Sequence, residues 1–376
     1  MKKINFKVNK PQKKWILLFF VLIIVSIISI IFVGKNEEFY DKPIGKITNI
    51  SEQSFETQNM SGSKETMKKQ QVAALIMNGK YKGKTVNFEN TTSYSQINDL
   101  DLKINDEVFL SFQISSEGKI TSVKLLDLKR DKYLVYVVVI FIVLIIVIAG
   151  RKGFKSLASV AVNLVIFFAA IQLFLNGVNL AFIALIASIL FIVSSILIVQ
   201  GINEKAISAI IGTATGTLIS MIIAILVIEL TKWNGIHFEE MEFLTHPPEA
   251  IFLVEILIGT LGGIMDIAIS ISSCLKEICD NNPSIEVNAL ISSGMEVGRD
   301  IMGTMANTLV FAYLSGSIPI IILLLKNGYP IFYIININLS LEFIRALTGS
   351  IGIVLSIPIT IYTSVIFYKK YKIEQV

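Results

Sequence analysis

The reading of this chain turns on GTLGGIMDIAISISS, residues 259–273. The stretch sits inside an apolar run long enough to cross a membrane, yet it carries Asp266 near its middle. On insertion scales an acid at the centre of a spanning helix costs roughly 2.5–3.5 kcal/mol. Something other than lipid should therefore meet it. Polar and small residues recur at Glu255, Gly259, Gly263, Asp266, Ser270, Ser273 and Glu277. Steps of three and four place them on one face of a helix. Small residues there let another helix approach closely, and polar ones supply hydrogen bonds between helices. Asp266 is expected to face protein or a water-filled crevice.

Working outward, the 376 residues are 53% hydrophobic and only 16% charged, which excludes a disordered chain and a single soluble domain. Runs of about 18 or more apolar residues read as spanning helices, since roughly 20 residues at 1.5 Å each cross the hydrocarbon core. They fall at approximately 15–34, 133–150, 156–175, 178–200, 205–231, 250–274, 301–325 and 341–368. The first follows a basic leader and lacks a small-x-small cleavage site, so it reads as an uncleaved anchor. Between spans one and two lie five short alternating runs, IGKITNI, QQVAALIM, KTVNFEN, DEVFLSF and ITSVKLLDL. Alternation of this length predicts half-buried strands, and NGKYKG supplies turn chemistry between two of them. Residues 52–68 read as a loop.

The predicted fold is an all-α polytopic membrane bundle of about eight transmembrane helices, with a small β-rich extracytoplasmic domain after the first. Residues 1–34 form a cytoplasmic basic tail and first anchor, residues 35–131 the β-rich domain, and residues 132–376 a seven-helix membrane domain. Orientation follows the bias of lysine and arginine in short loops. Six lysines precede the first span; Arg151, Lys152 and Lys155 follow the second; Lys369, Lys370 and Lys372 follow the last. Both termini are therefore expected in the cytoplasm, and residues 35–131 outside. Arginine occurs only at 130, 151, 299 and 345; with the isoleucine richness this suits an AT-rich bacterial genome and hence the bacterial plasma membrane.

The seventh span carries a face matching that of the sixth: Asp300, Gly303, Thr304, Asn307 and Ser315, interrupted by Phe311. Asp266 and Asn307 each lie roughly 10 Å from the cytoplasmic end of their spans. They are expected to form one polar cluster with Thr304, Thr308 and Ser270. In the last span Arg345 lies at the depth of Glu255 in the sixth, and a charge pair there would offset the cost of burying each alone. Glu342, three residues before Arg345, is the local competitor for it. Asp266 has two readings: an acid that fixes helix packing, or a protonatable or ion-binding carboxylate in a transport pathway.

Other chemistry is thin. Cys274 and Cys279 are five apart and match neither a redox pair nor a zinc framework. His237 and His246 share one outer loop with Glu239, Glu240 and Glu242, but without a short ligand spacing. That loop reads as lying on the membrane surface with Phe238, Met241, Phe243 and Leu244 as anchors. No Walker loop, GxSxG or dinucleotide fingerprint occurs, and no nucleophile is set beside a base. The expectation is a non-enzyme with no catalytic residue, metal or cofactor. The mixed charge of residues 35–131 gives no nucleic-acid surface. The partners expected are the lipid bilayer, a substrate the sequence does not identify, and a second copy or another membrane protein.

Between spans six and seven, CLKEICDNNPSIEVNALISSGMEVGRD offers a helix start at Asn282-Pro283-Ser284 and reads as a short helix along the cytoplasmic face. The whole block, GGIMDIAISISSCLKEI through NALISSGMEVGRDIMGTMANTLVFAYLSGSIP, resembles the YibE/F-like family of bacterial multi-pass membrane proteins. The resemblance implies the architecture above and assigns no activity. A fainter resemblance, over spans six and seven, is to the SecD/SecF export proteins and the RND permeases. It sets Asp266 against their acid in a Gly-rich span and Gly298-Arg299-Asp300-Ile301 against part of the segment that opens the next helix. Met265 stands where those have Asn and Ser272 where they have a second acid, and seven helices follow the outer domain rather than five. It implies proton-driven work with Asp266 in the relay. The function expected is a transporter or transport accessory coupled to a proton or ion gradient. The alternative is a non-transporting assembly or structural factor whose outer domain binds a partner.

Overall fold

The five alternating runs become five strands because each has an apolar side to bury. The computed structural model describes residues 24–58, 64–93, 99–115, 119–238, 241 and 247–373. A short apolar helix α1 (Ile24–Val33) and a 3-10 turn (Glu37–Phe39) precede β1 (Ile44–Gln58), β2 (Lys64–Ile76), β3 (Thr85–Thr92), β4 (Glu107–Ile114) and β5 (Ile120–Leu128). The antiparallel sheet has the order β3-β2-β1-β4-β5, and β3 also lies beside β5, which rolls the sheet into a barrel. That connectivity is the one of the OB fold. A register shift between Ile47 and Asn49 bends β1 so that it serves β2 along its length and β4 at its start.

Ile47, Val72, Ala74, Ile76, Phe88, Val108 and Leu110 fill the interior. A Cβ on Gly45 would come within 2.7 Å of the Leu110 side chain, so the close approach of β1 to β4 requires glycine there. Gln70 is fully buried, and its amide is satisfied: Nε2 donates to Glu52, Asp101 and the Leu102 carbonyl, and Oε1 accepts from Asn90 and the Leu102 amide. Asn78 opens the NGKYKG turn as expected of it, accepting from the Ile44 amide and donating to the carbonyls of Glu37, Tyr40 and Lys42.

One expectation fails here. Residues 52–68 are not a loop over most of their length, because β1 and β2 pair from Glu52–Gln70 out to Gln58–Lys64. Residues 51–56 are exposed on both faces of the strand, so the alternation that marks a half-buried strand is missing although the backbone ladder continues.

The helical part comprises α2 (Asp131–Leu175), α3 (Leu180–Gln200), α4 (Glu204–Leu230), α5 (Pro248–Asn281), α6 (Val287–Lys326), α7 (Ile331–Ile337) and α8 (Ser340–Ile373). Six of these, all but α7, are long and apolar enough to cross a membrane. The second and third expected spans lie within α2 on either side of Gly150, whose φ of 53° and ψ of −123° interrupt the helix. Counting both segments of α2 and the apolar α1, the architecture is the predicted one of about eight spans.

Two boundaries differ. No separate helix precedes the seventh span: α6 runs unbroken from Val287, and Gly294 and Gly298 inside it are packing positions against Ile361 and Ile357 rather than breaks. The short α7 was not foreseen. By Cα proximity the chain forms two compact units, Met1–Ile148 and Ala149–Val376.

In the second unit α8 packs against α4, α5 and α6. Its seam with α4 is built of glycine and hydroxyl residues. A Cβ on Gly212 would fall 1.9 Å from Thr360 Oγ1, and one on Gly216 2.9 Å from Ser356 Cβ. Small residues here bring the backbones together, as the small-xxx-small pattern of Gly212 and Gly216 requires. Larger aliphatics complete the core between α5, α6 and α8: Ile264, Ile267, Ile271, Leu275, Ile353 and Ile357.

Candidate functional site

The apolar side of α5 is spent on this core: Phe252, Ile256, Leu261, Ile264, Ile267, Ala268, Ile271 and Leu275 are all buried. What remains open on the helix between its first and last turns is Glu255, Gly259, Gly262, Asp266, Ser270 and Glu277. None of the six has an apolar side chain. On α3 and α4 the open positions are instead filled by Phe182, Leu185, Ile189, Leu190, Leu218, Ile222 and Leu226, as a lipid-facing surface requires. α6 repeats the pattern of α5. Its open positions between residues 300 and 316 are Asp300, Gly303, Thr304, Asn307, Thr308, Phe311, Ala312, Ser315 and Gly316.

The two helices pack antiparallel, and their glycines record the register. Gly259 meets Tyr313, Gly263 meets Leu309, and Ile271 and Leu275 meet Gly298 and Gly294. Asp266 therefore lies about level with Met305–Ala306, within one turn of Asn307 and Thr304, and Ser270 about level with Ile301–Met302. These residues share one depth and are all exposed within the chain. No hydrogen bond joins them. The Thr304 hydroxyl donates to the Ile301 carbonyl at 2.8 Å and that of Thr308 to the Thr304 carbonyl at 2.8 Å. Among the described residues Asp266, Asn307 and Ser270 make no side-chain hydrogen bond or ion pair. Beside this face, a Cβ on Gly262 or Gly303 would meet nothing within 4 Å.

Towards the other end of α5 stands a charged group. Arg345 of α8 bonds both candidates at once: Nη2 donates to Glu255 of α5, and Nη1 to Glu342 at 2.5 Å. The guanidinium lies 5.2 Å from the centre of the Phe252 ring. The Arg345 side chain is 12% exposed against 42% for Glu255, so the arginine is sunk and the α5 carboxylate reaches it from the open face. The Tyr313 hydroxyl is buried nearby in the notch left by Gly259.

The sequence stripe is drawn more finely by the structure. Ser273 turns away and accepts from Gln200 of α3 at 3.1 Å, and Gly263 is covered by Leu309 and Ile353, so the open line runs through Gly262. Tyr313 and Gly262 were missed; for Gly262 the signal was its place four residues before Asp266. His246, Glu239, Glu240, Glu242, Phe243 and Leu244 lie outside the described residues, as does the basic leader before residue 24. Among the described residues no three His, Cys, Asp or Glu side chains are grouped to hold a metal. Phe238, in the segment before α5, packs edge-on against Phe252 and also meets Trp233.

A helix bundle of this length and apolarity defines an integral, multi-pass membrane protein. Comparison with known families places it further. Residues 137–370 match the YibE/F-like protein family and residues 38–128 match the YibE/F family N-terminal domain, and the chain belongs to that family. No curated protein and no solved structure matches it.

Proposed function

We propose that this protein moves, or helps to move, a solute or polypeptide across the bacterial plasma membrane, using a proton or ion gradient relayed at Asp266. Asn307, Thr304 and Ser270 flank the carboxylate at the same depth and supply the polar surroundings of the relay. One observation carries this reading: Asp266 lies unpaired on a face of α5 whose open positions are all polar or glycine. An ionisable side chain at such depth marks an ion or substrate pathway by default, because its cost is otherwise unrecovered. Both termini lie in the cytoplasm in this reading, and the β-barrel stands outside and engages the substrate or a partner. The asymmetry of lysine and arginine supports that orientation. No catalytic step is assigned.

The test is paired. Proton uptake into proteoliposomes is followed under an imposed potential for the native protein and Asp266→Asn. Each charge crossing 100 mV gains about 2.3 kcal/mol, so a relay responds to the potential. In parallel, Asp266→Cys is probed with a membrane-impermeant thiol reagent. The reading expects uptake that Asn abolishes and a thiol that labels from at least one side. A thiol inaccessible from both sides, with uptake unchanged by Asn, would return Asp266 to a packing role and the protein to the class of assembly factors.

A further inference from the structure

We infer that the α5/α6 face is completed by a second copy of this chain, each copy's Asp266 accepting from Asn307 of the other. The face has an acceptor without a donor and a donor without an acceptor, at one depth. A carboxylate offers only acceptors and a carboxamide offers two N–H donors, so the two side chains are chemical complements. Within the chain no hydrogen bond joins them. Thr304 and Thr308 cannot substitute as donors, since their hydroxyl protons are given to their own helix.

Depth is what singles out a second copy among possible occupants. In a two-fold pair whose axis is normal to the membrane, residue i meets residue j and j meets i. That condition holds only for residues at equal height. Because α5 and α6 run antiparallel, most pairs of positions on them differ in height, but Asp266 and Asn307 fall within one turn of each other. The clearance is also reciprocal. Gly262 lies four residues before Asp266 and Gly303 four before Asn307, and a Cβ on either would point into open space. Each polar side chain is thus preceded by a glycine that lets the facing helix approach. α6 needs such a cover most: no residue of its most apolar 18-residue window is buried within the chain.

This inference shares its face with the proposed relay but does not depend on proton movement, and its experiment reads association instead. The full-length chain, dye-labelled and reconstituted in liposomes at graded protein-to-lipid ratios, is counted by single-molecule photobleaching. A monomer–dimer equilibrium is expected. Asn307→Leu removes both symmetry-related bonds and should weaken it about 8- to 900-fold, twice the free energy of one interhelical hydrogen bond in a membrane. Leu218→Ala on the outward face of α4 should leave it unmoved. In a background with Cys274 and Cys279 replaced by Ser, a chain carrying Ser270→Cys should also form a disulfide with a differently tagged chain carrying Gly303→Cys, which keeps Asp266 and Asn307 intact. Monomers at every density overturn the inference. So does a dimer weakened by Leu218→Ala but not by Asn307→Leu. So does the absence of a disulfide when both thiols remain reactive towards a small maleimide.

Discussion

Lys129 is the clearest case of one residue holding distant pieces of chain together. Its side chain is 1% exposed, and Nζ reaches Glu107 at 2.8 Å, Asp131 at 3.3 Å and the Val33 carbonyl at 3.1 Å. Asp131 in turn accepts from Asn36 and Tyr40, each at 2.9 Å. The end of α1, the barrel strand β4 and the start of α2 therefore meet on one ammonium group. Removing it strands two carboxylates with little water to solvate them, so Lys129→Met should cost roughly 3–5 kcal/mol. A thermal melt of the full-length protein in detergent checks this, and a change under 1 kcal/mol would show the group to be solvated after all. Burial pulls the Lys129 pKa down, but the hydrogen bond and charge of Glu107, with the charge of Asp131, outweigh it and hold it above the ordinary lysine value. The Tyr40 phenol is raised as well, by burial first and then by Asp131. Folding thus favours the protonated form of both. Their contribution is whole below about pH 10 and is lost as the pH climbs through the folded values. The melting temperature should fall above about pH 10, and less steeply in Lys129→Met. Arg345 is the counterpart in the second unit. Its replacement by Met removes both ion pairs and leaves Glu255 and Glu342 facing one another, so it should cost more than Glu255→Gln, by about 1.5–3 kcal/mol. Equal losses in the two variants would show that Glu342 gains nothing from the arginine.

Between elements, glycine marks contact in one place and openness in another, and substitution separates the two. Gly216→Val would drive a side chain into Ser356 and the Gly352 carbonyl, which lie within 2.9–3.3 Å of its first carbon. Overpacking of this kind costs typically 1–3 kcal/mol. Gly303→Val points into open space and should leave the melt of the monomer unchanged within about 0.5 kcal/mol. Both are read in detergent at a dilution where copies are separate; a Gly303 variant as unstable as the Gly216 one would mean that the α6 face is packed. The sequence distinguishes these glycines poorly, since both lie in small-residue stripes. Periodicity did carry far. Five alternating runs gave five strands, and apolar length gave the spans, because burial imposes a period of two on one and continuous hydrophobicity on the other. The stripe through Asp266 was legible for the same reason. Periodicity fails where neither face is buried, as in the outer part of the β1–β2 hairpin, and where a helix leaves the apolar zone without a breaker, as at Val287–Arg299 of α6. It is also blind to closure: nothing local in the sequence brings Val33 and Glu107 to Lys129.

At the scale of the whole chain, the two units divide their chemistry. The first pairs its charged and polar groups with one another, through Lys129, Gln70 and Asn78, and leaves the barrel surface mixed in charge. The second packs its core through apolar contact and helix-backbone acceptors, gathers Glu255, Arg345 and Glu342 into one charged group, and leaves Asp266 on an open face. A relay coupled to an outer domain needs these two chemistries on a defined side of the membrane. In the orientation proposed above, lysine and arginine asymmetry chooses that side: Lys205 stands at the start of α4, Lys276 in the last turns of α5, and residues 151–155 carry three basic residues. The proposed orientation then expects the barrel on the opposite side of the membrane from those basic residues. In a background with Cys274 and Cys279 replaced by Ser, Ser122→Cys on β5 and Asp280→Cys at the end of α5 give two exposed reporters. A membrane-impermeant maleimide should label Ser122→Cys in intact cells and Asp280→Cys only after permeabilisation. Labelling in the reverse order would put the barrel in the cytoplasm, where an externally recruited substrate could not reach it. Labelling of both in intact cells would mean that the number of crossings between them is even rather than odd, and the division of α2 at Gly150 would then be a bend within one crossing.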